Sequence, residues 1–234
     1  MQENAIVKQA IPKLVLFDVN GTLLDTAKVK KEVNNILSSK QGFEIWFGLL
    51  LQYSLVDNVT GQYHRFSMIA ESALQMAADK LQTTIDDGDK KKVLELFTQM
   101  PPYKDVKKGL KLLQKAGYKL ATLTNSPNNI QFQQLQKGDL AKYFDAMLSI
   151  DYLKKYKPSL DAYKWAAETL HLSLSEIIMV AAHGWDITGA GYAGMQTAFI
   201  ARQGQEIYPL APKPTFIGKN LEEVANAIIA AYNK

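Results

Sequence analysis

The sequence predicts an α/β fold, a doubly wound parallel sheet interrupted after its first strand by an all-helical segment. Three observations predict it. Leu14-Val15-Leu16-Phe17 is a short unbroken apolar run that ends in Asp18; such runs suit strands buried on both faces, as in parallel sheets. From Tyr103 onward strand and helix patterns alternate, which implies right-handed parallel connections. Between them, residues 27–101 carry helical periodicity and no strand pattern. The expected division is a core of residues 1–26 plus 102–234 and a helical cap of residues 27–101.

After the first strand, Val29, Val33, Ile36 and Leu37 form an apolar stripe at helical spacing. Gly42 interrupts it. Phe43 to Val56 is densely apolar and reads as a buried helix or one facing a groove. A turn is expected at Asp57-Asn58, then a helix over 63–81, with Ser67 capping its productive part. Asp86-Asp87-Gly88-Asp89 starts a helix that Pro101-Pro102 ends. Val106 to Ala116 is a helix closed by Gly117. Lys119–Thr124, Ala146–Ser149, Glu176–Ala181, Thr197–Ile200 and Thr215–Ile217 read as strands. Helices are expected from Pro127 through Leu135, over 159–170 and 186–192, and over 221–232 at the end.

Apolar residues make up 47% of the 234 and charged residues 21%, as in ordinary globular proteins. The net charge of +4 comes from lysines spread along helix faces without aromatic interleaving. That gives a weak pull on small anions and no nucleic-acid groove. With no cysteine, disulfides, thiolate nucleophiles and zinc–thiolate sites are excluded. No apolar stretch is long enough to span a bilayer, and the polar start, residues 1–13, lacks the apolar core of a signal peptide. The expected compartment is the cytoplasm, or the periplasm if a leader has been removed.

Polar residues collect at the expected strand ends, where open α/β sheets bind ligands. They are Asp18 with Thr22 behind it, Thr124 with Asn125, Lys157 before Pro158, and His183 with Asp186. Gly21 permits the sharp turn after the first strand.

In this order and spacing, these motifs resemble the haloacid dehalogenase superfamily. Its Asp-x-x-x-Thr motif matches Asp18 to Thr22, its Ser/Thr motif Thr124, its lysine Lys157 and its last acidic motif Asp186. The resemblance extends over nearly the whole chain to the S-specific, type II 2-haloacid dehalogenases. Thr124-Asn125-Ser126-Pro127, Lys157-Pro158 with Tyr163, and Trp185-Asp186 with Thr188-Gly189-Ala190 match that branch, as do the cap residues Trp46, Tyr53, Gly61, Tyr63 and Phe66. Phosphatases of the superfamily carry a second aspartate two residues after the first, and here that residue is Asn20. Its loss weakens a magnesium site and removes an acid/base. Two departures stand out. The branch's halide-binding arginine, just after the cap tryptophan, is Phe47, and its Ser and Asn in the last motif are Ala181 and His183.

The resemblance implies metal-free, cofactor-free hydrolysis of short 2-haloacids to 2-hydroxy acids with inversion. Asp18 is the expected nucleophile, forming an ester that water then cleaves. Lys157, held by Asp186, keeps Asp18 ionised against the effect of burial. Asn125 and Asn20 are expected halide donors, with Phe66, Trp185 and Phe47 as walls. Thr124 and the backbone N–H groups of Val19 and Asn20 are expected to take the substrate carboxylate, and Tyr163 to line the substrate site. His183 is the expected base toward the hydrolytic water, oriented by Glu71 from the cap. His64 and His171 read as surface residues. A homodimer through the apolar helix 46–56 is expected, unless the cleft uses that face entirely. The alternatives are a phosphatase for a small phosphate ester, which Asn20 opposes, and a small-acid-binding scaffold without turnover.

Overall fold

A computed structural model of the chain describes residues 10–232; residues 1–9 of the polar start lie outside them. The sheet has six parallel strands: β1 (Leu14–Phe17), β2 (Lys119–Thr124), β3 (Ala146–Ser149), β4 (Ile177–Ala181), β5 (Gln196–Ile200) and β6 (Phe216–Gly218). Their order is β3-β2-β1-β4-β5-β6. Phe17 pairs with Thr122 on one side and Val180 on the other. β1 is therefore central, and the connections reverse direction beside it, which opens a crevice at its carboxyl end. Every residue of β1 is buried, the reason its sequence is continuously apolar rather than alternating.

Helices α5 (Val106–Lys115), α6 (Asn128–Lys137), α7 (Leu160–Thr169), α8 (Gly184–Ala193) and α9 (Leu221–Tyr232) cover the sheet. At Gly109 a Cβ would lie 2.5 Å from Cγ of Leu221, so glycine is what lets α5 close on the start of α9.

Between β1 and α5 lie α1 (Ala27–Ile36), α2 (Gly42–Thr60), α3 (Phe66–Lys80) and α4 (Asp87–Phe97). The fold is thus the expected parallel α/β sheet with a helical insert. Trp46 is fully buried and holds α2 to α3 by donating Nε1 to the Ala70 carbonyl at 2.9 Å. Its ring meets Phe43 and Phe97 edge-on, at 5.6 and 5.9 Å between centroids. Asp86 and Asp89 form a reciprocal capping box on α4.

Two local expectations fail. No turn forms at Asp57-Asn58; α2 runs on to Thr60 and ends at Gly61 in the left-handed region. The Asp57 carboxylate instead accepts from the His64 backbone N–H at 2.8 Å, and the Asn58 amide binds the backbone of Tyr156. Tertiary partners have taken the side chains that would otherwise have bent the chain. Second, α3 begins at Phe66 without a side-chain cap, so Ser67 lies inside the helix and caps nothing.

Candidate active site

Asp18 leaves β1 at the crevice, only 5% exposed. Oδ2 accepts from Thr22 Oγ1 at 2.7 Å and lies 3.0 Å from His183 Nδ1; Oδ1 accepts from Lys157 Nζ at 3.0 Å. Thr22 Oγ1 also accepts from the Ala182 N–H at 2.9 Å, tying the loop after β1 to the end of β4. Arg202, after β5, braces the same loop. It pairs with Asp105 and donates to the Thr22 carbonyl at 3.0 Å. Gly21, with φ +76°, has the His183 ring so close that a Cβ would lie 3.0 Å from Cε1 and Nε2.

Lys157 is fully buried, and its ammonium reaches three acceptors: Asp18 Oδ1 at 3.0 Å, the Leu123 carbonyl at 2.8 Å and Asp186 Oδ2 at 2.6 Å. All three donors of a lysine are then committed, so no donor remains for a substrate carboxylate. Asn125 clasps the Lys157 backbone, accepting from its N–H at 2.9 Å and donating to its carbonyl at 3.3 Å. One amide hydrogen of Asn125 stays uncommitted at the cleft wall.

The charges set one another. Burial works to raise the Asp18 carboxyl, but the Lys157 ammonium, then His183 and Thr22, outweigh it and hold Asp18 well below the usual carboxylate range. Burial works to lower Lys157, and the two carboxylates raise it instead. Asp186 is pushed up by burial and by the nearby Asp18 charge, against the pull of Lys157 and Tyr163. Of the two acids at the lysine, Asp18 is the one whose carboxyl is held down and Asp186 the one pushed up.

Tyr163 does not line the cleft. It is fully buried behind Asp186, donating its hydroxyl to Oδ1 at 2.6 Å; the second acid needed a donor on its far oxygen, and Tyr163 fills that place. Glu71 is also misplaced by the sequence reading. It is exposed on α3, and the carboxylate at the His183 ring is Asp18. Val19 is completely buried. Among the described residues the N–H groups of Val19 and Asn20 donate to no backbone carbonyl.

The remaining candidates meet at a small cavity lined by Asp18, Asn20, Phe47, Phe66, Thr124 and Asn125, with Lys157, His183 and Trp185. Leu51 and Phe97 complete its apolar wall, and the sequence reading missed both. The signal for Phe97 was its place in an apolar stripe just before Pro101, which reads equally well as plain core. Trp185 stacks on His183 at 5.2 Å, and Phe47 lies at 5.9 Å from the same ring. Asn20 donates Nδ2 to Ser126 Oγ at 2.9 Å, while its Oδ1 is buried with no protein partner. Thr124 Oγ1 accepts from the Ser126 N–H at 3.1 Å. Among the described residues no group of three or more His, Asp or Glu side chains is placed to hold a metal ion, and no helix is long and apolar enough to cross a membrane.

A parallel sheet in this strand order, with an acid–lysine–acid cluster at its reversal point and helices inserted over it, defines a haloacid dehalogenase-like architecture. The model of the haloacid dehalogenase-like hydrolase family matches residues 15–200, and the chain belongs to that family. It is 30% identical over 226 residues to an (S)-2-haloacid dehalogenase of Pseudomonas sp. strain YL, covering 95% of this chain and 97% of that one. It is also 30% identical over 200 residues to (S)-2-haloacid dehalogenase 4A of Burkholderia cepacia, covering 84% and 87%. The fold is similar to that of L-2-haloacid dehalogenase from Xanthobacter autotrophicus with chloropropionic acid covalently bound. There the TM-score is 0.83 at 23% identity, over 93% of this chain and 98% of that one.

Proposed function

We propose that the chain hydrolyses short 2-haloalkanoic acids to 2-hydroxy acids with inversion at C2. The observation that carries this reading is Asp18, a buried carboxylate held ionised by Lys157 in a small, aromatic-walled cleft. A desolvated carboxylate without a proton is a nucleophile. Oδ1 has one donor and Oδ2 two, so Oδ1 has the freer lone pair. It attacks C2, the carbon–halogen bond breaks, and halide leaves with the bonding pair. Water then adds to Cγ of the Asp18 ester; the C–O bond breaks, the 2-hydroxy acid departs, and one proton goes to solvent. His183, against Asp18 and packed by Trp185 and Phe47, takes the proton from that water.

Halide is met by aromatic edges and amide hydrogens. Asn125 supplies one. Asn20 supplies another once its amide is turned over, since the O and N positions of an amide are assigned from their surroundings. Ser126 Oγ then donates to Oδ1, and Nδ2 takes the unpartnered side. The substrate carboxylate falls to Thr124 and the N–H groups of Val19 and Asn20. Asn20 also opposes the phosphatase reading, because it can neither protonate a leaving group nor add a charge for magnesium.

Residues 27–101 act in this reading as the cap that closes the cleft over residues 1–26 and 102–234. Leu55, Val56 and Val59 on α2 are 42%, 41% and 88% exposed, and this row is the surface proposed for a homodimer. The test is halide release from bromoacetate and 2-bromopropionate, compared with Asp18→Ala. Release by the parent and none by the variant supports the proposal. Binding of the acid without release supports a scaffold instead.

A further inference from the structure

Beside the catalytic cleft lies a second cavity, of about 150 Å³, that the proposed chemistry does not use. Leu50, Ala70 and Leu94 of the cap helices form one side, and Pro127 and Ile130 of the core form the other. Phe66 and Phe97 line both cavities, so the two are neighbours across a pair of phenyl rings. The polar groups at that seam are spent on each other: the amide of Asn20, in the cleft wall, is hydrogen-bonded to the hydroxyl of Ser126, in the chamber wall. What faces the chamber is therefore almost wholly apolar. An apolar space of this kind holds water poorly and favours hydrocarbon.

We propose that this chamber is a tail subsite, receiving the alkyl chain at C2 of a haloacid whose reacting carbon sits at Asp18. The inference rests on the dehalogenase reading for what is attached to the tail. It goes beyond that reading in naming the acid: one with an unbranched aliphatic chain of several methylenes rather than a two- or three-carbon acid. The occupant follows from adjacency: the two spaces share Phe66 and Phe97, and a chain that passes between those rings meets a wall whose only polar side chains are Ser67, Thr98 and Ser126. The cleft is the smaller of the two spaces and, shared among carboxylate, halogen and C2, leaves little room for a longer tail within itself.

Leu94 and Ile130 are half-buried and line the chamber but not the catalytic cleft, so Leu94→Trp and Ile130→Trp can each fill the chamber with little risk to the fold. Binding of propionate, hexanoate and octanoate to the full chain is measured by calorimetry. Turnover of 2-bromopropionate, 2-bromohexanoate and 2-bromooctanoate is measured by halide release. The expected result is about fourfold tighter binding per added methylene until the chamber is filled, with kcat/KM rising alongside. Both tryptophan variants should lose that gain while keeping the turnover of 2-bromopropionate. Octanoate binding no tighter than propionate, or variants that slow short and long acids alike, would overturn the subsite and leave the short-acid chemistry standing. Tight octanoate binding that Leu94→Trp abolishes, with no halide released from any bromoacid, supports the chamber and overturns the reaction.

Discussion

The phenyl ring of Phe47 lies against the imidazole of His183, 5.9 Å between centroids and tilted by 30°. Phe43 stacks on Phe47 in turn, at 5.6 Å and 5°. Positions 47 and 183 are the two at which the sequence is expected to depart from the type II pattern, and their rings are neighbours. An arginine at 47 would set a cation beside the imidazole; a phenyl ring packs on it. We propose that the two positions act as one unit, an aromatic-and-imidazole pair in place of a cation-and-amide pair. Phe47→Arg and His183→Asn should therefore be non-additive. Each alone should lower kcat/KM for 2-bromopropionate, and the double variant should recover about 1 kcal/mol of the summed loss, within the usual range for residues in contact. Four proteins assayed in parallel give the coupling directly, and additive effects would separate the two sites.

His183 has its ring nitrogen at Asp18, so its removal should divide the reaction. The first step needs only an ionised Asp18, which Lys157 secures. The second needs a proton taken from water. His183→Asn should release about one halide per site and then turn over roughly a hundredfold or more slowly, the usual contribution of a general base. The stalled protein should carry the mass of the acyl group, less halide, on the peptide containing Asp18. Parent-like steady turnover would remove His183 from the mechanism.

Lys157 makes two pH predictions whose signs are opposite. Asp18 is depressed below its ordinary 3.8, so its contribution to stability is present above that value and lost as pH falls through the lower folded value. Lys157 is raised above its ordinary 10.5, so its contribution is present below that value and lost as pH rises through the higher folded one. Single-turnover halide release should accordingly persist below pH 4 in the parent. Lys157→Met should move that acid limb upward, because burial then acts on Asp18 without a compensating cation. It should also cost about 3–5 kcal/mol, the usual penalty for stranding a buried charge. A melting temperature lower by roughly 10 °C would register it. Adding Asp186→Asn should restore part of the stability and none of the activity. An acid limb unmoved by Lys157→Met would count against Lys157 as the group that keeps Asp18 ionised.

Much of this arrangement was legible because it is local. The run into Asp18, the threonine four residues on and the strand endings at Thr124 and Ala181 each follow from burial and chain geometry within a few residues. What escaped was pairing between distant segments. Glu71 was assigned to His183 because a histidine needs a partner, and sequence offers no way to see that the partner is the nucleophile itself. The family resemblance puts Tyr163 at the substrate site, yet α7 turns it to the back of Asp186. Asn58 read as turn material, although it spends both ends of its amide on Tyr156, 98 residues away.

That last contact yields a prediction about how the cap governs the lysine. Asn58 Oδ1 accepts from the Tyr156 N–H at 2.9 Å and Nδ2 donates to the Tyr156 carbonyl at 2.8 Å. Asn125 does the same for the next residue, Lys157, from the core side. Two amides, one on the inserted helix α2 and one just after β2, thus grip consecutive residues, and the lysine side chain projects from the gripped pair toward Asp18. Asn58→Ala leaves a backbone donor and acceptor unpaired in a half-buried place, which should cost about 1–3 kcal/mol. Asn58→Asp keeps the acceptor but turns a carboxylate oxygen toward the Tyr156 carbonyl, so it should be the worse of the two. If the grip positions the ammonium, kcat/KM should also fall by about tenfold to a hundredfold, and the acid limb of halide release should shift upward as in Lys157→Met, though less. A lower melting temperature with unchanged kcat/KM and pH profile would reduce Asn58 to a stabilising clasp between cap and core.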